Sequence, residues 1–89
     1  MKIGEVVYSI AGRDNGRYYI ITEIENEDRV KVADGEIKSI KNAKKKNVRH
    51  IKSCGYVLEK IAQKLINNEQ VFDSEIKSAL RSYKEGENN

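Results

Sequence analysis

The chain has few of the residues that build covalent or metal-bound scaffolds. Its 89 residues include one cysteine, one histidine, no tryptophan and no proline. Cys54 stands alone, so no intramolecular disulfide can form, and Cys54 with His50 falls short of the four ligands that a structural zinc site needs. We therefore predict a domain that has no disulfide, binds no metal and carries no cofactor.

Long apolar runs are absent as well. Residues 1–5 lack the hydrophobic stretch of a signal peptide, and no segment is long and apolar enough to span a bilayer. We therefore expect a cytoplasmic protein without a membrane partner. Hydrophobic residues make up 38% of the chain and charged residues 35%, which at this length suits one small, compact core. Nothing in the sequence indicates the oligomeric state.

Positive charge is concentrated in one segment. The whole chain has a net charge of +3, but residues 37–52, which we name the basic segment, contain seven basic residues and no acidic one. The preceding 36 residues contain five basic and eight acidic residues, and the 37 that follow contain five and six. A localised cluster of one sign is the pattern expected for contact with an anionic partner.

Alternating apolar and polar residues predict β structure in the first half of the chain. Five short strands are expected, at residues 6–10, 18–24, 29–33, 36–40 and 47–51. Asp34-Gly35, between the third and fourth of these, is a common two-residue hairpin sequence. Short strands with tight connections are typical of a small antiparallel barrel.

The hydrophobic period changes after Cys54. Apolar residues at helical spacing predict a first helix over residues 57–66. A second helix is expected to begin at Asp73 or Ser74, which are both favourable N-cap residues, and to fray over residues 85–89.

A glycine-rich loop lies between the first two predicted strands. Residues 12–17, which we name the glycine loop, read Gly12-Arg13-Asp14-Asn15-Gly16-Arg17. Glycine permits positive φ angles and close backbone approach. The two arginines add fixed positive charge in a geometry that suits phosphate. The loop therefore fits contact with a phosphate backbone.

The loop belongs to a longer pattern. It reads Gly4-x-Val6-Val7-Tyr8-x-Ile10-x-Gly12-Arg13-Asp14-x-Gly16-Arg17. This pattern resembles the KOW motif of ribosomal proteins and of transcription elongation factors of the NusG type, and the resemblance implies an SH3-like barrel. It also implies that Gly16, the most characteristic position of the motif, is the better candidate for a positive φ angle or a close backbone approach. One difference is Asn15, where many KOW motifs carry a lysine, and it removes one potential phosphate contact.

Further segments are similar to one branch of this family, the large-subunit ribosomal protein family called fourteen-e and its short bacterial relatives. These segments are Asp34-Gly35, residues 44–51 and residues 73–80. The resemblance covers residues 2–52 well and the C-terminal helices loosely. The fold expected is mainly β with C-terminal α structure. It comprises a five-stranded SH3-like barrel of the KOW type over residues 1–53, and two short helices, packed on the barrel, over residues 54–89.

We predict a non-enzymatic RNA-binding protein that is associated with ribosomal RNA or the ribosome, and therefore with translation. In this hypothesis the glycine loop and the basic segment meet on one side of the barrel and hold RNA phosphates. The candidate RNA-binding residues are Arg13, Arg17, Lys38, Lys41, Lys44, Lys45, Lys46, Arg49, His50 and Lys52. Gly12 and Gly16 are the motif glycines. Ribosomal proteins are further candidate partners.

Several alternatives stay open. The basic segment can be an ordinary solvated surface, and Asp14 can neutralise Arg13. The five tyrosines can offer faces for base stacking or can pack into the core. The domain can also be a protein-interaction module that docks on ribosomal protein or RNA polymerase. An enzyme is not expected, because no P-loop, dinucleotide fingerprint or nucleophile elbow is present and no catalytic residue stands out.

Overall fold

A five-stranded antiparallel sheet followed by two helices forms the protein, which confirms the predicted order of β and α structure. The computed structural model describes residues 1–87. Its strands are β1 (Glu5–Ser9), β2 (Tyr18–Ile24), β3 (Arg29–Ala33), β4 (Lys44–Asn47) and β5 (Ile51–Val57). Its helices are α1 (Glu59–Ile66) and α2 (Asp73–Glu87), and a 3-10 turn, Val48–His50, joins β4 to β5. Residues 88 and 89, the last of the predicted extension and of its frayed end, lie outside the described residues.

The strands lie in the order β4-β3-β2-β1-β5. The first four form a meander, and β5 returns to pair with β1. β4 and β5 are therefore the two edges, and no ladder closes the sheet within residues 1–87. The register shifts between Glu5 and Val7 of β1 and between Ile21 and Glu23 of β2. Such bulges bend a strand and increase its twist.

The helices cover one face of this sheet. The buried cluster on this face consists of Val6, Ile20, Ala33, Ile61, Val71, Ile76 and Leu80. Three strands and both helices contribute to it. In α2, Ile76 and Leu80 are four residues apart and so lie on the same side of the helix, which is the buried side. The helices therefore share a core with the sheet.

The opposite face is buried without help from the helices. Its buried cluster consists of Val7, Tyr19, Ile21, Val30, Val32 and Ile51, which all come from strands. None of these side chains is more than 4% exposed. No residue of α1 or α2 belongs to this cluster, and Val48 of the 3-10 turn packs against it.

The strand predicted at residues 36–40 is wrong, because this segment is an irregular loop. The Asp34 carboxylate accepts hydrogen bonds from the backbone N–H groups of Glu36 and Lys38, at 2.9 and 2.8 Å. The N–H of Ile40 donates to the Asp73 carboxylate at 2.8 Å. Side chains thus take the donors that a strand would offer to its neighbour. Asp34-Gly35 therefore begins a side-chain-stabilised turn and not a two-stranded hairpin.

The last two strands lie at different positions from those predicted. β4 falls inside the basic segment and pairs with β3, with Lys46 opposite Val30. Most of the strand predicted at residues 47–51 is the 3-10 turn. Asn47 caps this turn, and its side chain accepts a hydrogen bond from the Arg49 N–H at 2.8 Å. The side-chain cap favours the turn over a continued strand.

The two helices agree closely with the prediction. α1 begins later than predicted because β5 continues to Val57. α2 begins at Asp73, as predicted, and continues through the expected frayed end to Glu87. The cap is a different one, however, because the Glu75 carboxylate accepts a hydrogen bond from the Phe72 N–H at 3.2 Å. This is the glutamate half of a capping box.

Gly35 brings the loop after β3 into close contact with the first turn of α2. Its φ angle is +77°, and a Cβ atom there would overlap the Asp73 carbonyl and lie 2.8 Å from the Lys77 nitrogen. Only glycine fits both requirements. The loop is therefore fixed to α2 by this close approach and by the hydrogen bond between Ile40 and Asp73.

Candidate functional site

The Asp14 side chain of the glycine loop points into the domain. Its Oδ1 atom accepts hydrogen bonds from Ser9 Oγ at 2.9 Å and from Lys46 Nζ at 3.0 Å. Its Oδ2 atom accepts from the Tyr19 hydroxyl at 2.7 Å and from Lys44 Nζ at 3.1 Å. Donors from β1, β2 and β4 thus hold one carboxylate. We name these five residues the Asp14 cluster.

Strand periodicity explains how the cluster is assembled. Ser9 is two residues from Val7, and Tyr19 belongs to the core cluster on the same face of the sheet. Lys46 lies opposite Val30, another member of that core cluster. The glycine loop then places Asp14 over the ends of these side chains. The Asp14 cluster therefore forms the polar border of the core that the helices do not cover.

Lys46 is the buried cation of the cluster, and only 7% of it is exposed. Its ammonium also lies 3.0 Å from Ser9 Oγ and 3.4 Å from the Ala11 carbonyl oxygen. A buried lysine is tolerated when a paired charge and hydrogen bonds replace its water, and the cluster provides both. Lys46 is therefore a structural cation turned away from solvent, and we leave it out of the surface proposed below.

The cluster shifts two pKa values in opposite directions. Burial by itself raises the pKa of Asp14, but hydrogen bonds from the other four members outweigh it and hold that pKa well below its ordinary value. Burial raises the pKa of Tyr19 far above its ordinary value, and the hydrogen bond to Asp14 and its charge raise it further. At neutral pH, Asp14 is therefore an anion and Tyr19 a neutral donor.

Arg13 is the immediate neighbour of Asp14 but is not paired with it. The carboxylate of Asp14 makes its ion pairs with Lys44 and Lys46. Arg13 is exposed, and no carboxylate within residues 1–86 lies at ion-pair distance from it. The close counter-charges of Asp14 are therefore the two lysines and not Arg13. The loop keeps the positive charge of Arg13 on its outer side.

The glycine loop lies beside the basic segment at one end of the sheet. Two lysines of the segment bind Asp14, and the N–H of Ile10 donates to the carbonyl of His50 at 2.9 Å. Within the loop, the N–H of Gly16 donates to the Ser9 carbonyl at 2.7 Å. These contacts bring together the two segments in which the sequence predicts RNA contacts.

Both motif glycines have positive φ angles, +85° at Gly12 and +89° at Gly16. Such angles are easily adopted by glycine and strained for most other residues. A Cβ atom at Gly16 would meet nothing within 4 Å. Glycine is therefore required at Gly16 by the backbone conformation, and the space in front of it is open.

Several candidate cations are exposed and have no carboxylate partner among residues 1–86, whose side chains the structure describes. They are Arg13, Lys41, Arg49 and Lys52. His50, which is also exposed, follows Arg49 in the 3-10 turn, at the junction with the glycine loop. Lys52 lies on β5 opposite Tyr8. Lys41 and the half-buried Lys38 lie in the loop between β3 and β4 and are not part of that junction.

The remaining candidates, Arg17, Lys44 and Lys45, each contact a carboxylate. Arg17 Nη1 lies 3.6 Å from Asp34 Oδ2, and Lys45 Nζ lies 3.9 Å from Glu25 Oε2. The Lys44 side chain is about one third exposed, although its ammonium binds Asp14. Partly exposed ion pairs of this kind contribute little to stability. Lys45 can therefore exchange Glu25 for another anion at small cost, whereas Arg17 pairs with a buried carboxylate, Asp34, and is held more firmly.

The five tyrosines separate into two groups. Tyr19 is buried, with 1% exposed, and belongs to the Asp14 cluster and the core. The other four form a row, in which Tyr8 and Tyr18 have ring centroids 5.8 Å apart, Tyr18 and Tyr83 6.4 Å, and Tyr83 and Tyr56 5.3 Å. This row crosses from the sheet to α2.

Other kinds of site find no support in the part of the chain that the structure describes. No group of three or more histidine, cysteine, aspartate or glutamate side chains is placed there to hold a metal ion. Neither helix there has the length and apolar character of a membrane span. No protein-family model matches the chain, and no curated protein matches it either. Function is therefore inferred from the geometry of this chain.

Proposed function

We propose that the protein is a non-enzymatic RNA-binding protein associated with ribosomal RNA or the ribosome. The observation that carries the proposal is the junction of the glycine loop with the 3-10 turn, made by Ile10 and His50. Arg13 and Arg49 lie at this junction without a carboxylate partner among the described residues. Positive charge that the protein does not neutralise itself favours an anionic ligand. Guanidinium groups suit phosphate in particular.

An SH3-like barrel of the KOW type is part of this proposal. The strand order, and the core cluster that is buried without helices, favour a sheet that bends toward a barrel. The resemblance of the glycine loop to the KOW motif favours the same architecture. In this reading, the loop between β1 and β2 and the His50 end of the 3-10 turn present the binding surface.

In the proposed mechanism, the Asp14 cluster fixes the shape of the glycine loop and the exposed cations bind RNA. Arginine and lysine contacts to phosphates supply affinity that does not depend on base sequence, and structured RNA is recognised mainly by shape. The phosphate contacts are assigned to Arg13, Arg49 and Lys52, with Arg17, Lys38, Lys41, Lys45 and His50 at their margins. If about four phosphates are neutralised, log affinity falls with log salt concentration with a slope of about −3.

Charge reversal tests the proposal. Arg13→Glu with Arg49→Glu is compared with Lys2→Glu with Lys60→Glu, which makes the same change in net charge at exposed positions of the N-terminus and α1. Binding to a fluorescein-labelled hairpin RNA is followed by fluorescence anisotropy over a range of salt concentrations. We expect the first variant to lose affinity by about a hundredfold and the control to lose much less. Lys46 is avoided because it is buried.

Two results would contradict the proposal: an affinity that does not depend on salt, or equal losses in the two variants. Sedimentation with ribosomes distinguishes RNA binding from the alternative, in which the chain docks on a ribosomal protein. If the Arg13→Glu/Arg49→Glu variant still sediments with ribosomes while the wild-type protein binds no RNA, the chain acts as a protein-interaction module. Binding to RNA polymerase, the other candidate protein partner, is tested by comparing the wild-type protein and the same variant in a pull-down.

A further inference from the structure

A cleft lies between the end of the glycine loop and α2. Its volume is about 210 Å³, and Gly16, Tyr18 and Leu80 form part of its walls. Six charged residues also line it: Arg17, Asp34, Glu36, Lys77, Arg81 and Lys84. Four of these six are basic. None of the three basic residues that α2 contributes is among the candidates predicted from the sequence.

Both carboxylates in the cleft are already paired. Asp34 lies 3.6 Å from Arg17, and Glu36 Oε1 lies 3.3 Å from Lys77 Nζ. Arg81 and Lys84 have no carboxylate at ion-pair distance among residues 1–86, the part of the chain whose side chains the structure describes. The cleft therefore has two cations that the described protein leaves uncompensated.

The positions of the basic residues on α2 strengthen this point. Lys77, Arg81 and Lys84 are spaced by four and then three residues, so they lie along one side of the helix. Like charges at these spacings destabilise a helix slightly, and an anion between them removes that repulsion. Lys84 Nζ also lies 5.7 Å from the centroid of the Tyr18 ring, which holds the cation at the cleft.

We propose that this cleft binds a phosphate group, and that RNA held on the proposed surface supplies it. The inference rests on the proposed function and extends the RNA path from the sheet to α2. Arg81 binds phosphate oxygens through its planar guanidinium, and Lys84 adds a point charge. Arg17 lies in both surfaces, because it ends the glycine loop and lines the cleft. The open space in front of Gly16 leaves room for the phosphate to approach.

The test uses Arg81→Gln with Lys84→Gln and, as a matched control, Lys2→Gln with Lys60→Gln. In the first measurement, inorganic phosphate is titrated and the backbone amide signals of Gly16 and Arg81 are followed by NMR. In the second, binding of the labelled hairpin RNA is measured against salt. We expect the cleft variant to lose the phosphate-dependent shifts. We also expect it to bind RNA about tenfold more weakly, with a salt slope less steep by about 1.

The outcomes separate this inference from the proposed function. If phosphate shifts neither amide and the RNA affinity is unchanged in the cleft variant, the cleft assignment is overturned, even when Arg13→Glu with Arg49→Glu abolishes RNA binding. Phosphate shifts that are lost without any change in RNA affinity mean that free phosphate is the ligand, and they overturn the RNA assignment. A wild-type protein that binds no RNA overturns the proposed function, while the phosphate titration still decides whether the cleft binds an anion.

Discussion

Asp14 determines which cations near the glycine loop are paired within the protein and which are left facing solvent. A carboxylate next to two arginines would weaken anion binding if it faced outward. Instead it is turned inward and takes its counter-charges from Lys44 and Lys46. The arginine beside it is left exposed, and arginine is the cation better suited to phosphate. The lysine-rich run thus contributes structure as well as charge.

At this scale, Asp14→Asn is expected to lower the free energy of unfolding by about 3–5 kcal/mol at neutral pH. The substitution leaves the buried Lys46 ammonium without its counter-charge. Urea unfolding followed by circular dichroism measures the loss. Asp28→Asn makes the same change in charge at an exposed position before β3, and we expect a change within about 0.5 kcal/mol.

The difference in stability between the wild-type protein and Asp14→Asn depends on pH. The folded-state pKa of Asp14 lies below its unfolded value, so its contribution is present above about pH 4 and is lost as the pH falls toward the folded pKa. The wild-type protein should therefore lose stability on acidification more steeply than Asp14→Asn, and the two curves should converge. Parallel curves, or a loss under 1 kcal/mol at neutral pH, would show that the cluster does not stabilise the fold as described.

The sequence reveals part of this site and hides the rest. The positive φ angle of Gly16 is expected from its position in the motif that the loop resembles, and the structure confirms it. The burial of Lys46 is hidden, because three consecutive lysines are chemically identical. Strand periodicity puts Lys44 and Lys46 on one face and Lys45 on the other. That distinction required knowing that the run is a strand and that Asp14 folds over it.

Among the elements, the loop after β3 depends most on distant residues. It is tied to α2 by Asp73 and by the close approach at Gly35. Gly35→Ala is expected to lower stability by about 2–4 kcal/mol, because a Cβ meets the helix backbone in addition to straining φ. Gly55→Ala provides the control: φ is +72° there and a Cβ would meet nothing within 4 Å, so only about 1–2 kcal/mol is expected.

Thermal or urea unfolding of the two glycine variants measures the difference. Equal losses would mean that the loop does not approach α2 as closely as described. The hydrogen bond from Ile40 to Asp73 explains why the strand predicted at residues 36–40 does not form. No local pattern reveals a partner so far along the chain. The helices, by contrast, were predictable, because the spacing of Ile76 and Leu80 is a local signal.

In the whole molecule, one sheet separates two buried clusters, and only one of them includes the helices. The helices therefore should not unfold separately from the sheet. Ile76→Ala is expected to cost about 2–5 kcal/mol and to shift a single transition, seen equally by far-ultraviolet circular dichroism and by tyrosine signals. Ser78→Ala, on the exposed side of α2, should leave that transition nearly unchanged.

If the signal of the sheet persists under conditions in which the helices have already unfolded, residues 54–87 form a separable unit. The hydrophobic period changes near that boundary, and the helices were expected to pack on the sheet. β5 runs across the boundary to Val57, and α2 completes the cluster around Val6 and Ile20.

β4 is an edge strand, and one of its two sides pairs with no other strand among the described residues. Exposed edges can recruit strands from other chains and so begin aggregation. Lysines along an edge, and charged side chains that point inward from it, are two ways in which proteins prevent such pairing. β4 has both, in the exposed Lys45 and the buried Lys46. The run that makes this chain basic therefore also protects its open sheet from polymerisation.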